Sequence, residues 1–291
     1  METSRVLDRD CGTVHAMPRH RPFLILLALC WWLWDECPSL ALEAGGEDPV
    51  EQDDPTRPVT NLDLRPHFED NTTTTPRDRL SLIFRRNVEW DLSGQFRLAT
   101  RIDFPLTFSD SVTETNPGGQ YRMGMGRPLV QVYVADVLDD RWAIAVGSQI
   151  VGPASGSEFG SGNWDAVPIV ALRYSLPEIT PGSYFVPQLR YAVSFAQSYE
   201  GRKTNNLQFS PQLKIPLDRQ WFVIFFPTTD IRINFGDKLD GQTGRLFLPL
   251  DGAIGCNIGE ASVISLEVGA PIIRDYPVYR LKIEARFSVQ L

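Results

Sequence analysis

Charged and amide side chains recur at every second position in several segments of the chain. The set comprises Arg97, Arg101, Asp103, Arg190, Gln208, Gln212, Lys214, Arg232, Asn234, Lys282, Glu284 and Arg286. Rows that carry both signs of charge along a water-filled passage bind and select charged solutes. They can equally pair with one another across neighbouring strands and fill an interior. We therefore predict that these twelve residues line an interior and bind solute, without a catalytic role.

A hydrolytic site is the main catalytic alternative. Hydrolysis by a serine needs a histidine base within hydrogen-bond reach of the nucleophile. His67 is the only histidine after the first 20 residues, and no serine in a nucleophile motif lies near it. The acidic pairs Asp53-Asp54 and Asp139-Asp140 lie in linker and turn sequence, where solvated carboxylates are ordinary. The residues therefore indicate a protein that is not an enzyme.

Cofactor and metal sites are not expected either. The glycine-rich stretch GPASGSEFGSGNW at 152–164 does not open a helix, so it is a loop and not a phosphate cradle. Three of the four cysteines precede residue 44, which leaves Cys256 alone. One cysteine builds neither a disulfide framework nor a cysteine metal cluster.

The elements that must position the charged rows are β-strands. In the final segment, YRLKIEARFSVQL, apolar and polar residues alternate without a break to Leu291. Alternation with a period of two places successive side chains on opposite faces of a strand, whereas a helix would scatter the charges around its circumference. Segments such as FRLATRIDF at 96–104 repeat the pattern. The sequence therefore predicts an all-β chain.

The links between the strands predict their number. Three tight polar turns that carry aspartate are each followed by an aromatic residue, in EWDLSGQF, ADVLDDRW and KIPLDRQW, and longer polar links alternate with them. Twelve strands follow from this rhythm, near 59–68, 79–91, 95–108, 127–137, 141–151, 164–174, 183–197, 205–216, 219–235, 244–256, 260–270 and 276–291. Both chain ends then lie on the short-turn side.

The open question is which strand face meets water. A soluble β-sandwich also alternates, with its apolar face inward. Strands of 11 to 16 residues, an even strand number and alternating short and long links are typical of outer-membrane barrels. Trp90, Trp142, Trp164 and Trp221 all fall at strand ends, as an interfacial girdle requires. We predict an up-and-down transmembrane antiparallel barrel in which Leu281, Ile283, Phe287 and Val289 face lipid.

A bilayer admits no open sheet edge, so the last strand must close onto the first. One residue does not fit: Arg86 falls on the apolar parity of its strand. An arginine that faces lipid at the midplane costs about 2–4 kcal/mol. We therefore expect a bulge there or a position close to the interface.

The N-terminal part reads as an export signal. Arg19 and Arg21 precede the apolar run FLILLALCWWLW at 23–34, which is too short to span a bilayer and is followed by small residues. We predict a signal peptide at 1–44, with Met17 as a possible working start, and an acidic disordered linker at 45–58. The formal net charge is −8, and no basic run indicates a nucleic-acid partner.

The barrel region at 59–291 resembles a family of bacterial outer-membrane transporters related to the phenol-degradation (MetA-pathway) barrels. The resemblance rests on GSEFGSGNWDAVPIVAL, on LQFSPQLKIPLDRQWFV and on the final hairpin, ASVISLEVGAPIIRDYPVYRLKIEARFSVQL. Within these, it matches Phe159, Gly160, Gly162 and Trp164, then Asp218 and Trp221, then Arg286 and Phe287. It implies an outer-membrane barrel with transport activity.

We therefore expect a porin-like channel of the bacterial outer membrane that passes small solutes passively through a narrow charged lumen. Its expected partners are outer-membrane lipid, an unidentified small solute and the barrel-assembly machinery. Two alternatives stay open at this point: a structural or loop-binding barrel with a filled lumen, and a soluble periplasmic β-sandwich.

Overall fold

The computed structural model describes residues 54–71, 78–199, 203–228, 230–236, 238 and 242–291. The predicted signal peptide and the linker up to residue 53 lie outside these ranges. Within them there is no helix that is long and apolar enough to cross a membrane. The strands are β1 (Asn61–Asp70), β2 (Asp78–Ser93), β3 (Phe96–Ser109), β4 (Arg122–Met125), β5 (Leu129–Val137), β6 (Trp142–Val151), β7 (Asn163–Ser175), β8 (Tyr184–Gln197), β9 (Asn205–Pro216), β10 (Trp221–Phe225), β11 (Ile231–Asn234), β12 (Leu246–Ile258), β13 (Ser262–Arg274) and β14 (Leu281–Gln290).

The strands close into an antiparallel barrel whose wall is twelve strands around. β14 pairs with β1 from Asn61 opposite Gln290 to Asp70 opposite Leu281, so the sheet has no open edge there. β10 and β11 share one position, because both pair with β9 on one side and β12 on the other. The short β4 adds only to the loop-side end of β3. The predicted barrel, its strand number and its closure are confirmed.

The two faces of the wall have the reverse of a soluble protein's polarity. Outward side chains are large and apolar, and Phe104, Val146 and Leu250 are each more than half exposed. Inward side chains on the same strands are polar and buried, as Asp103 and Asp251 are. An apolar exterior lowers the free energy of the protein in hydrocarbon, not in water. The alternation predicted from the sequence thus has its charged face inside.

The short turns have a common physical cause. The Asp139 carboxylate accepts hydrogen bonds from the backbone N–H groups of Arg141 and Trp142, each at 2.7 Å. Asp218 repeats this with the backbone N–H groups of Gln220 and Trp221. Each aspartate therefore satisfies two donors that a tight turn leaves unpaired. This is why a turn aspartate followed by tryptophan marks the predicted hairpins.

One local prediction is wrong, and one of the two alternatives given for Arg86 is excluded. The strand predicted at 219–235 is interrupted, because β10 ends at Phe225, β11 begins at Ile231, and Phe226 between them has a φ of 52°. Arg86 does not sit in a bulge: it pairs in register with Leu62 and Ile102 on both sides. Its parity is therefore outward, and its long side chain can lie along the wall and carry its charge toward the interface.

The end of the predicted disordered linker is ordered. Asp54 is 3% exposed, Thr56 is completely buried, and Asp54 forms an ion pair with Arg173 on β7. Thr56 donates its backbone N–H and its hydroxyl to the same Asp54 carboxylate oxygen. The acidic composition that predicted disorder instead supplies a counter-charge for a buried arginine.

Candidate functional site

The interior holds a cavity of about 260 Å³ that is lined mainly by polar side chains. Its charged and histidine lining residues are Asp54, Arg57, Arg65, His67, Glu69, Arg85, Arg101, Asp103, Arg190, Arg232, Lys282 and Glu284. Six of the twelve residues predicted from the sequence to line the interior are among them: Arg101, Asp103, Arg190, Arg232, Lys282 and Glu284. This cavity is the candidate functional site.

The wall formed by β1 and β14 carries a continuous ion-pair network. Glu284 accepts from Arg65 Nη1 at 3.0 Å and lies 2.7 Å from His67 Nδ1. Asp63 lies 3.2 Å from Arg65 Nε and 3.0 Å from Arg286 Nη2. Each carboxylate is therefore shared by two basic groups. Because these strands pair directly, the network holds the closing seam of the barrel together.

The next two strands carry a second shared carboxylate. Arg85 on β2 lies directly opposite Asp103 on β3 and donates to both of its oxygens at 2.7 and 2.9 Å. Arg101, two residues away on the same face of β3, donates to the same pair at 2.9 and 2.6 Å. Such charge-assisted forks are strong and fix the arginine planes against the wall.

Lys282 on β14 contacts two carboxylates, one on each of the next two strands. Its Nζ lies 2.7 Å from Asp251 on β12 and also pairs with Glu267 on β13. Gly269 stands between Lys282 and Asp251 in the ladder, and a Cβ there would lie 2.8 Å from an Asp251 oxygen. The absence of a side chain at Gly269 therefore lets the lysine reach over β13.

The opposite wall is less charged. Gln149 on β6 donates to Gln131 on β5 at 2.8 Å, and Gln188 on β8 lies 3.5 Å from Gln212 on β9. Farther along this wall, Arg190 on β8 pairs with Asp230. The cavity thus has a densely paired wall at the seam and a neutral wall that ends at an arginine.

The short-turn end of the interior is closed by packed rings and cations. The Arg173 guanidinium lies 4.0 Å from the ring centre of Tyr184, and the Lys214 ammonium lies 4.7 Å from that of Phe222. Tyr184 is fully buried together with Val186. Cations over aromatic faces are stabilised by the ring quadrupole where water is excluded.

The segment at 54–60 crosses the lumen at this end. β1 begins at Asn61, and the Asp54 partner Arg173 lies on β7, five strand positions away in a ring of twelve. Seven residues extend at most roughly 25 Å, which suffices to bridge the interior. Pro55, Arg57 and Pro58 line the cavity from this segment. The segment therefore crosses the lumen and is not a part of the barrel wall.

The structure places the twelve predicted residues at several levels. Arg97 lies at the short-turn rim, where its side chain is 45% exposed and pairs with Glu89. Asn234 is buried at the long-loop rim, where its side-chain oxygen accepts from Gly236 N. Gln208, Gln212, Lys214 and Arg286 are inward but do not line the cavity; Arg101, Asp103, Arg190, Arg232, Lys282 and Glu284 do.

The prediction from the sequence did not include most of the residues that pair with these twelve. Asp63, Arg65, His67 and Glu69 occupy every second position of β1 and all point inward. The alternation of inward and outward side chains that identified the final strand would also have identified these four residues, and Arg85 on β2. Proline and histidine within β1 obscured the pattern.

The residues near His67 do not form a hydrolytic site. Its Nδ1 lies 2.7 Å from Glu284, and its Nε2 lies 3.1 Å from Glu69. Both ring nitrogens thus face carboxylates, and neither faces a serine hydroxyl. Among the described residues, no group of three or more histidine, cysteine, aspartate or glutamate side chains is arranged to hold a metal ion.

Comparisons with known proteins point to one kind of fold. No protein-family model matches the sequence, and no curated protein does. Among solved structures, the chain is similar to the COG4313 outer membrane channel from Pseudomonas putida F1, with a TM-score of 0.63, 10% identity and coverage of 86% of this chain and 100% of that one. It is also similar to the NanC porin, with a TM-score of 0.50, 12% identity and coverage of 79% and 98%.

At these identities the likeness shows the fold alone, an antiparallel barrel of the outer-membrane type. The specific relationship to phenol-degradation barrels stays a prediction.

Proposed function

We propose that this protein is a channel of the bacterial outer membrane that passes small polar solutes passively. The observation that carries the proposal is the inverted polarity of the closed barrel, which has an apolar exterior and a charged interior cavity. A polar interior inside an apolar exterior is the arrangement of water-filled outer-membrane barrels. The similar solved structures, which include an outer membrane channel and a porin, support the same function.

The exterior supports the membrane location. Outward Trp90, Trp142 and Trp164 are each between 38% and 45% exposed, beside an apolar belt. Tryptophan at both borders of such a belt is typical of the membrane interface. In this proposal outer-membrane lipid covers the belt, and the paired strand β14 is what the barrel-assembly machinery reads during insertion.

The size of the barrel supports a narrow passage. Eight strands leave an interior that side chains fill, whereas sixteen or more leave an aqueous channel. Twelve strands fall between these limits, and the segment at 54–60 narrows the passage further. Solutes of a few heavy atoms fit a cavity of about 260 Å³, and larger ones need the segment to leave.

A second candidate is a structural barrel whose lumen stays filled. The shared ion pairs along β1, β2, β3 and β14 favour it, since they occupy much of the interior. In that case the loops would carry the function. Conductance separates the two candidates.

The test uses the purified full-length mature protein in planar bilayers and in liposomes. We expect discrete conductance steps and swelling of liposomes in small amino acids or sugars. Heat-unfolded protein at the same detergent concentration is the control. Folded protein that gives neither steps nor swelling, with the segment at 54–58 present or deleted, would refute the channel and favour the filled barrel.

A further inference from the structure

The interruption between β10 and β11 is an inward fold of the barrel wall. Phe225 pairs with Leu213 and Ile231 pairs with Phe209, so the five residues at 226–230 stand opposite three residues of β9. On the other side, Phe225 pairs with Gly252. The wall therefore contains two surplus residues at this point, and they must leave its plane.

The described contacts show that the surplus residues turn into the lumen. The Thr228 hydroxyl donates to Glu267 on β13 at 2.5 Å and accepts from Lys282 on β14 at 2.8 Å. Asp230 is 3% exposed and pairs with Arg190 on β8, in the opposite direction around the barrel. The inward fold therefore spans the inner surface from β8 to β14. We define the inward fold as residues 226–228 and 230.

The two ends of the inward fold have different charge. At the Thr228 end, Lys282 meets Asp251 and Glu267, so carboxylates are in excess. At the Asp230 end positive charge is in excess, because the Asp230 carboxylate forms ion pairs with both Arg190 and Arg232, the second at 3.9 Å. Two guanidinium groups that share one carboxylate leave one positive charge.

The two arginines lie close together on the wall of the cavity. Arg190 and Arg232 line it and lie opposite the same residue of β9, Gln208, so they flank one level of the wall. The Nε of each is buried and donates no hydrogen bond. Each side chain as a whole remains partly exposed, by 15% for Arg190 and 31% for Arg232, so a ligand in the cavity can reach both. Guanidinium planes bind carboxylate and phosphate oxygens in a two-point manner.

We propose that Arg190 and Arg232, positioned by the inward fold, form an anion-binding site on the wall of the cavity. The ligand class is a small solute with a carboxylate or phosphate group. Asp230 acts as a built-in competitor that keeps the affinity low enough for the ligand to leave again. The site deepens the proposed function, because selectivity needs a conducting channel, but anion binding itself is measurable without conduction.

Two variants should change the anion affinity of the site in opposite directions. Asp230→Asn removes the competing charge and leaves both arginines in place, so it should raise anion affinity and the anion-to-cation permeability ratio. The double substitution of Arg190→Gln and Arg232→Gln should lower both. Loss of one charge a few ångströms from the ligand corresponds to roughly tenfold at an intermediate effective dielectric constant. Arg141→Gln, in an exposed short turn, is the matched control.

Binding is measured by calorimetric titration of the folded, detergent-solubilised barrel with sodium acetate, sodium phosphate and sodium chloride. The acetate and phosphate arms distinguish the two ligand chemistries. Selectivity is measured as the reversal potential across a tenfold gradient of the same salts in planar bilayers. Circular dichroism checks that every variant retains the barrel.

We expect the order Asp230→Asn, then wild type and Arg141→Gln together, then the double variant, in both assays. If all folded proteins bind and select alike while conducting, the anion site is wrong and the channel stands. If the titrations follow the expected order while no protein conducts, the anion site stands and the channel function is wrong.

Discussion

The ion pair between Asp54 and Arg173 should control how widely the lumen opens. Replacing Asp54 with asparagine keeps the size of the side chain and the oxygen that accepts from Thr56 N, 2.8 Å away in the native protein. It removes the charge that faces Arg173 and replaces the oxygen that accepts from Arg173 with an amide NH2 group. Because both partners are almost completely buried, the loss is not screened by water as it would be at a surface.

Removing one partner of a buried ion pair costs about 3–5 kcal/mol. Arg173 keeps its contact with the Tyr184 ring, so the lower end of that range applies here. Since 1.4 kcal/mol is a factor of ten, about 3 kcal/mol moves the docked-to-undocked ratio of the segment by roughly 100-fold. A segment that is docked nearly all the time in the native protein would then spend a measurable fraction of time away from β7.

Single-channel recording measures this directly. We expect Asp54→Asn to add a conductance level larger than that of the wild type, and deletion of 54–58 to make that level permanent. Asp140→Asn, an exposed aspartate in a short turn, changes the same chemical group without touching the lumen. Arg173→Gln combined with Asp54→Asn should add little to either change alone. Identical conductance in wild type, Asp54→Asn and the deletion would refute the prediction that the segment at 54–60 restricts the lumen.

Three further predictions concern the stability of the barrel. Arg86→Leu should stabilise the barrel by up to about 2 kcal/mol in lipid vesicles, because an outward arginine within the apolar belt is costly. Urea unfolding of wild type and variant in the same vesicles measures this difference, and a less stable variant would contradict the outward direction of Arg86. Asp218→Ala should cost about 1–2 kcal/mol in the same assay, since two turn donors lose their acceptor. Lys282→Met should cost about 3–5 kcal/mol by leaving Asp251 and Glu267 buried without a cation, and an unchanged unfolding midpoint would show that this network is dispensable.

Alternation and turn chemistry sufficed to predict the barrel. The parity of side chains along a strand follows from backbone geometry alone, so the inward direction of Lys282 and the outward direction of Phe287 could be read from the sequence. The turn aspartates Asp139 and Asp218 act on their own neighbours, within three residues. Such local causes are visible in a single sequence.

Features that depend on register could not be predicted. Which carboxylate meets Lys282 depends on how β12, β13 and β14 are staggered, and the reach to Asp251 further depends on Gly269 between them. The alternation around the inward fold predicts one continuous strand, although Pro227 argues against a central strand there. Asp54 appeared disordered because its partner Arg173 is 119 residues away.

The arrangement of the ion pairs is compatible with the proposed passage of solute through a densely paired interior. The pairs of Arg85 with Asp103, and of Arg65 with Glu284, join neighbouring strands and lie along the wall. They can remain formed whether or not solute passes. The pair of Asp54 with Arg173 instead joins β7 to the segment that crosses the lumen. Opening therefore requires the loss of one buried ion pair and the displacement of a short segment, while the network that holds the barrel closed stays intact.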